Sequence, residues 1–454
     1  MRVVEAFKNN FQSLVRLAIP LILTGLLQSS VYFFITIFLA RVSQDALAAG
    51  SLVAWLFGTF NIIVIGILNA INVLVAHRHG AKDGHGIALV FRDGFWLACI
   101  LTIPACYFFW HIAPLLLYLG QNQALVKLTE SYLHALTWGL LANFITVVLM
   151  EFVIGLGKTR FALFFSALNV SLNILFSFAL IFGKFGLPAM GVAGAGWGTT
   201  IGFWITVLFF SWYIFTNKNY KPYTRLLFTY VKPFYLIELL KIGTPLGIMY
   251  CVEIGFFFVL ILIMGSLGNQ LLAANQITLQ YLCILTSVIF SIAQAITVRM
   301  GHLLGEGDVV TAKQVGYIGT FTSVTFMFGA ALIYWFFPKL LIAIDFDIHE
   351  PGNQEILHFA IQLLAVSAVF QIFESARISL FGALRALKDT RYTLITSMIS
   401  FWGIALPVGY LFAIPLQWGG IGLWWGVSLG AVISVLLLYW RFNFKMQHYQ
   451  PEIG

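Results

Sequence analysis

The chain has 454 residues, of which 60% are hydrophobic and only 9% are charged, and its mean hydropathy is +0.93. This composition supplies too little polar surface to cover a water-soluble domain, so soluble enzymes and soluble binding modules are excluded. The net charge of +8 does not indicate a nucleic-acid partner, because most basic residues fall in segments predicted on one side of a membrane.

Long apolar stretches, separated by Gly, Pro and polar clusters, predict twelve transmembrane helices. A helix needs roughly 20 apolar residues to cross a bilayer core, and these runs are continuous instead of alternating as they do in barrel strands. In chain order the predicted helices cover 13–39, 47–75, 87–112, 129–156, 161–183, 191–215, 237–265, 271–299, 314–338, 356–384, 391–413 and 417–440. The predicted fold class is an all-α integral membrane protein.

The distribution of Lys and Arg predicts the orientation of these helices. If the N-terminus is cytoplasmic, 20 of the 25 Lys and Arg residues fall in inner segments. Such a strong bias satisfies the positive-inside rule. We therefore expect both termini in the cytoplasm and the protein in the bacterial inner membrane.

The two halves of the chain are copies of each other. Pro20 falls on Pro245 at a shift of 225 residues, and the shift drifts to 231 and then to 228 further along. Six helices per copy is an even number, so both copies enter the membrane from the same side and are related by a pseudo-twofold axis along the membrane normal. The predicted organisation comprises an N-terminal six-helix lobe, a cytoplasmic linker and a C-terminal six-helix lobe, at 1–217, 218–236 and 237–454.

Two carboxylates are predicted deep inside spans of the second half. Glu253 lies 12 residues beyond Lys241, and Glu374 lies 11 residues before Arg385, which places both roughly 16 to 18 Å from the inner face at ~1.5 Å per residue. A charge at this depth costs at least about 2.5 kcal/mol, so protonation, ion pairing or cation binding is expected. Glu253 has no neutralising neighbour in sequence, whereas Glu374 has Arg377 at i+3. A structural ion pair is therefore the alternative for Glu374.

The first half carries amides where the second half carries acids. Gln28 aligns with Glu253, and Asn143 aligns with Glu374. Asn169 and Asn173, at i and i+4, are predicted at the same depth, and hydrogen bonding between helices is the alternative use of such amides. We expect ion coupling in the second half and substrate contacts in the first.

The sequence contains no motif for enzymatic chemistry. No His, Cys and carboxylate cluster has metal-ligand spacing, and there is no Walker loop, so we predict neither an enzyme nor an ATP-driven pump, and no cofactor. Duplicated helical lobes with acids inside one of them are typical of a secondary transporter. The 44 Phe and 13 Trp residues suit small cationic or aromatic organic substrates, and we expect a monomer in contact with the bilayer.

The order of short motifs along the chain resembles that of a multidrug and toxic compound extrusion (MATE) transporter of the NorM-like branch. These motifs are Arg16-x-x-x-Pro20, Leu47-Ala48-Ala49, Gly155-x-Gly157-Lys158-Thr159-Arg160, Met190-Gly191-Val192-Ala193-Gly194-Ala195, Ala273-Ala274-Asn275-Gln276, Gly301-His302-x-x-Gly305 and Leu384-Arg385-Ala386-Leu387-Lys388-Asp389-Thr390. The resemblance implies a V-shaped pair of six-helix lobes that exports organic cations or other drugs in exchange for sodium ions or protons.

The resemblance also implies a cation site. In NorM-like members a glutamate on helix 7 and an acid on helix 10 form it, and these positions match Glu253 and Glu374, which would be metal ligands only if sodium is the coupling ion. Two departures favour protons while sodium stays open: Phe370 stands where the helix-10 tyrosine is expected, and Arg377 adds a fixed charge. A third departure is that Tyr32 and its neighbours replace the aspartate expected on helix 1.

Two other functions remain as alternatives. A lipid-linked precursor flippase of the wider superfamily would be expected to carry several cationic residues in its cavity, where this sequence offers only Arg377. A channel or a membrane-embedded enzyme is the alternative from another functional class. A channel conducts without fixed counter-ion stoichiometry, whereas the flux of an antiporter reverses with the imposed ion gradient.

Overall fold

The computed structural model describes residues 2–227, 229, 232–345 and 350–450, which are helical with short connections and contain no strand within these ranges. The helices are, in chain order, α1 (Arg2–Ala40), α2 (Gln44–Leu68), α3 (Ala70–Gly80), α4 (Gly84–Trp110), α5 (Ala113–Tyr118), α6 (Gln123–Thr137), α7 (Leu140–Gly155), α8 (Thr159–Phe182), α9 (Gly191–Thr216), α10 (Lys221–Thr224), α11 (Leu236–Leu267), α12 (Asn269–Glu306), α13 (Val309–Phe336), α14 (Pro338–Asp345), α15 (Gln354–Ala386), α16 (Thr390–Ser397), α17 (Leu406–Ala413) and α18 (Gly419–Gln447). A 3₁₀ turn at Pro351–Asn353 precedes α15, and a π-helical segment at Met398–Ala405 joins α16 to α17. The predicted all-α membrane fold is confirmed.

The number of predicted spans agrees with the structure. In the described ranges, eleven helical segments are long and apolar enough to cross a membrane, and α6 with α7 forms a twelfth that is bent by 52°. The boundaries agree closely where the sequence offers a sharp break. The helix predicted at 191–215 is Gly191–Thr216, and the one predicted at 391–413 is Thr390–Ala413.

The bend between α6 and α7 interrupts a helix that the sequence predicted as continuous. The Thr200 hydroxyl donates to the carbonyl of Ala135 at 2.7 Å, and the Gly139 N–H donates to the Leu136 carbonyl instead. A side chain inserted into the helical hydrogen-bond ladder is a common cause of a kink. The apolar periodicity gives no sign of this bend because the inserting hydroxyl comes from α9.

The π-helical segment is a second departure from the predicted regular helices. Pro407 lies one residue inside α17 and has no N–H to donate to the carbonyl of Gly403. The Leu406 N–H reaches back to the Phe401 carbonyl, which is the wider spacing of a π-helix. Such segments occur frequently at functional sites.

The helices group into two compact units. The first unit comprises Ile19–Gly247, and the second unit comprises Met1–Ala18 with Ile248–Gly454. Residues 1–18 and 237–247 therefore belong to the opposite unit from the lobe predicted for them. The reason is that α1 and α11 each continue through a unit boundary, close to Pro20 in α1 and Pro245 in α11.

The internal repeat is visible in matching local structures of the two units. The Asp83 side chain accepts from the Gly86 N–H at the start of α4, and Asp308, its counterpart, accepts from the Thr311 N–H at the start of α13. A close helix contact is repeated as well. A Cβ at Gly198 would lie 2.3 Å from the Ser177 backbone nitrogen, and a Cβ at its counterpart Gly426 would lie 2.3 Å from a backbone atom of a facing helix.

Candidate functional site: a buried Glu253–Arg377–Glu374 cluster

The second unit brings both predicted carboxylates to one guanidinium. Glu253 lies on α11, whereas Glu374 and Arg377 lie one turn apart on α15 and share a face of that helix. The exposed fractions of the three residues are 9%, 5% and 1%, respectively. The sequence predicted the pair within α15, but it gave no indication that the same arginine reaches Glu253.

The hydrogen bonds of this cluster link three helical segments. Arg377 Nε donates to Glu374 Oε2 at 2.7 Å, and its Nη2 donates to Glu374 Oε1, so that this contact is bidentate. Arg377 Nη1 donates to Glu253 Oε1 at 2.7 Å. The hydroxyl of Ser397, at the end of α16, donates to the same Glu253 oxygen at 2.9 Å. Each segment thus supplies at least one member of the network.

The π-helical segment completes the surroundings of the guanidinium. The Arg377 Cζ atom lies 4.7 Å from the ring centroid of Phe401 and 4.5 Å from that of Phe381, distances at which a cation and an aromatic ring attract each other. The next residue, Trp402, donates from its indole nitrogen to the Val252 carbonyl at 3.0 Å. This hydrogen bond links the π-helical segment to the backbone beside Glu253.

The four carboxylate oxygens of Glu253 and Glu374 differ in their hydrogen bonding. Both Glu374 oxygens and Glu253 Oε1 accept from Arg377, whereas Glu253 Oε2 accepts no hydrogen bond from the described residues. It belongs to the most exposed of the three side chains. Glu253 Oε2 is therefore the one oxygen of these two carboxyl groups that stays without a hydrogen bond among the described residues.

The cluster contains two carboxyl groups and one guanidinium. With both carboxyl groups ionised it would carry a net charge of −1, and at this burial an uncompensated charge is costly. One added positive charge neutralises the cluster. The guanidinium itself occupies the space between the carboxylates, so a metal ion bound by both would have to displace it. Within the described ranges, no group of three or more His, Cys, Asp or Glu could hold a metal ion.

The amides predicted as polar contacts lie in the first unit. Asn143 donates to the Asn61 side chain at 2.8 Å, and Asn169 donates to the Thr206 hydroxyl at 3.2 Å. The Asn173 side chain donates to the Asn169 carbonyl at 2.7 Å. Gln28 is exposed on α1. Asn169 thus joins α8 to α9, and its role in substrate contact stays a prediction.

Phe370 is not part of the Arg377 cluster. It is 1% exposed, and its ring packs edge-on against Trp424 with 5.7 Å between centroids. Trp424 in turn donates to the Asn275 side chain at 3.0 Å. At this position the side chain contributes to the core of the second unit.

Two further buried acids were missed by the sequence analysis, because they lie near predicted helix ends. Asp93 is paired with Arg92 and accepts from the N–H groups of Phe234 and Tyr235 at 2.8 and 2.7 Å, just before α11 begins. Glu151 lies on α7 and accepts from Asn72. Glu151 could have been identified from the sequence, because it is an acidic residue inside the predicted span 129–156.

Known proteins resemble this chain over nearly its whole length. The MatE family model matches residues 20–179 and 245–411, once in each half. A probable multidrug resistance protein NorM of Pseudomonas aeruginosa is 32% identical over 443 residues, which cover 97% of this chain and 91% of the relative. The multidrug resistance protein NorM of Burkholderia vietnamiensis is 33% identical over 431 residues, covering 95% and 93%.

Solved structures agree in fold. A MATE protein in a bent conformation has a TM-score of 0.88 at 18% identity, with 98% of both chains covered. An outward-facing multidrug resistance MATE family transporter of the MOP superfamily has a TM-score of 0.85 at 18% identity, with 96% of both covered. Proteins of this family are transporters, which confirms that the chain is not an enzyme. The two matches of the family model and the full-length similarity to NorM proteins show that this integral membrane protein belongs to the MatE family.

Proposed function

We propose that the protein is a proton-coupled antiporter that exports small organic cations and other drugs across the bacterial inner membrane by alternating access. The single observation that carries this proposal is the buried Glu253–Arg377–Glu374 cluster, in which one guanidinium is shared by two carboxyl groups. The names of the relatives support the substrate class, since the proteins from P. aeruginosa and B. vietnamiensis are named as multidrug resistance proteins. Both termini are cytoplasmic in this proposal, and the protein acts as a monomer.

Proton uptake has a defined position in the proposed cycle. A proton bound at Glu253 Oε2 neutralises Glu253 and weakens its attraction to Arg377, while Glu374 keeps both hydrogen bonds to the guanidinium. The link between α11 and α15 is thereby weakened. A change of a few kcal/mol in the balance between two conformations is enough to move most molecules from one to the other.

Arg377 favours protons over sodium as the coupling ion. The guanidinium takes up three of the four carboxylate oxygens and lies where a sodium ion shared by Glu253 and Glu374 would bind. A proton needs only the one remaining oxygen. Arg377 acts as a fixed internal cation that keeps Glu374 paired, and Glu253 is the residue that gains and loses charge.

The test is drug efflux from proteoliposomes under separately imposed proton and sodium gradients. Ethidium or norfloxacin should move against its gradient when only the proton gradient is imposed, and Glu253→Gln should abolish this movement, because the substitution keeps the shape and removes the titration. Glu355→Gln, at an exposed position on α15, is the matched control. Export driven by sodium alone, or normal proton-driven export by Glu253→Gln, would overturn the proposal.

A further inference from the structure

The first unit contains a buried carboxyl group that the proposed coupling cycle does not use. Glu151, on α7, is 5% exposed, and Asn72, on α3, is fully buried. Asn72 Nδ2 donates to Glu151 Oε2 in a short hydrogen bond. Glu151 lies one turn from the end of α7, at the side that the charge distribution assigns to the cytoplasm.

The Asn72 side chain lacks one hydrogen bond, and an ionised Glu151 would leave that bond unmade. Asn72 Oδ1 is buried and has no hydrogen-bond partner among the described residues. An unpartnered buried acceptor is costly, and native structures rarely leave one. An ionised carboxylate cannot supply the missing bond, because it has no hydrogen to donate.

A protonated Glu151 supplies the missing donor. A carboxylic acid facing a primary amide donates its O–H to the amide oxygen while it accepts from the amide nitrogen, and the resulting ring of two hydrogen bonds satisfies both groups. One of these two bonds is present between Asn72 Nδ2 and Glu151 Oε2. The unpartnered Asn72 Oδ1 is the acceptor required by the second.

The internal repeat shows that the acid is particular to the first unit. Under the repeat offsets, Asn72 corresponds to Thr297 and Glu151 corresponds to Gly382. These two positions also contact each other, since the Thr297 hydroxyl donates to the Gly382 carbonyl at 2.8 Å. The same helix contact is therefore made by neutral groups in the second unit, so the contact itself does not require a carboxyl group.

Charged and titratable residues on the helices packed against α7 lie near the same end. They are His77, Arg78 and His79 on α3, His85, Arg92 and Asp93 on α4, and Arg160 on α8. Arg92 and Asp93 neutralise each other in a pair with an N–O distance of 2.8 Å. Phe152, the residue after Glu151 on α7, packs its ring against that of Phe91 on α4, with 4.5 Å between centroids.

From these contacts we infer that Glu151 and Asn72 form a second proton-binding site, in which Glu151 carries a proton as a carboxylic acid paired with the Asn72 amide. This site lies in the first unit, apart from the acids of the second unit. It gives the protein a proton-carrying carboxyl group in the half for which the sequence predicted only amides. The inference does not depend on proton-driven drug export.

The experiment is infrared difference spectroscopy of the protein in lipid nanodiscs at about neutral pH. The wild type should show the C=O stretch of a protonated carboxyl group that shifts in deuterium oxide. Glu151→Gln should lack that band, and Asn72→Val should shift it because the paired amide is gone. Glu253→Gln should retain it, which separates this site from the coupling cluster.

Stability provides a second measurement on the same variants. Gln at position 151 reproduces the proposed pairing, because its amide can donate to Asn72 Oδ1 and accept from Nδ2, so its melting temperature should equal that of the wild type. Glu151→Ala should melt at a lower temperature. A protonated-carboxyl band that persists undiminished in Glu151→Gln, or a marked loss of stability in that variant, would show that Glu151 is an ionised structural residue and would overturn the inference.

Discussion

Glu253 Oε1 and Arg377 Nη1 lie 2.7 Å apart, although 124 positions separate the two residues in the sequence. This contact changes what Arg377 does, because the arginine is shared between α11 and α15 instead of serving Glu374 alone. Removing one carboxylate leaves the guanidinium still paired with the other. Removing the guanidinium leaves two buried acids facing each other.

Arg377→Ala should therefore be more harmful than either single carboxylate substitution. We expect the free energy of unfolding to fall by about 3 to 5 kcal/mol, since truncating one partner of a buried ion pair leaves an uncompensated charge. Thermal unfolding in detergent measures the loss. Adding Glu374→Gln should recover part of the stability, and adding Glu253→Gln as well should recover more. If the triple variant is as unstable as Arg377→Ala alone, the three residues do not form one electrostatic unit.

Ser397→Ala should lower stability modestly and disturb ion-driven export. Its hydroxyl donates to Glu253 Oε1 at 2.9 Å, and the loss of such a bond costs about 1 kcal/mol. The chain offers a close control three residues later. The Ser400 hydroxyl is buried without a hydrogen-bond partner among the described residues, so Ser400→Ala should be neutral or stabilising in the same unfolding measurement. Equal losses for both alanine variants would contradict the prediction.

Asp93→Asn should loosen the start of α11. The Asp93 carboxylate accepts from two backbone N–H groups and pairs with buried Arg92, so its neutralisation should cost at least about 3 kcal/mol. Hydrogen exchange of residues 232–240 should become faster. Asp45→Asn, at an exposed position in the first turn of α2, should change stability by less than about 1 kcal/mol. Unchanged exchange in Asp93→Asn would show that the carboxylate does not hold this segment.

Asn169 and Asn173 should have different roles despite their i, i+4 spacing. Asn169 is half-buried, whereas Asn173 is 1% exposed, so only Asn169 is placed to contact a substrate. Asn169→Ala should weaken drug binding about fivefold, equivalent to about 1 kcal/mol, and should leave the proton dependence of export unchanged. Asn173→Ala should lower the melting temperature. Fluorescence titration with ethidium distinguishes these outcomes, and unaltered binding by Asn169→Ala would exclude the substrate role.

The sequence predicted the features that depend on composition and local spacing. Span number, the repeat and the Glu374–Arg377 spacing follow from hydropathy, self-similarity and the 3.6-residue turn. Contacts between segments that are distant in sequence produce no such local pattern of hydropathy or spacing. The Glu253–Arg377 contact and the insertion of Thr200 into the α6–α7 bend both depend on how helices pack, which periodicity within one helix does not report.

Two helices of this protein each belong to both units, and this constrains how the gene could be divided. A break in the polar linker at 218–236 would separate residues 1–18 from the second unit and residues 237–247 from the first. If the break came before residue 234, the N-terminal fragment would also lose Phe234 and Tyr235, whose N–H groups donate to Asp93. Co-expressed fragments would thus have to exchange helical segments to assemble. A division of the gene at the linker would therefore not separate the two compact units from each other.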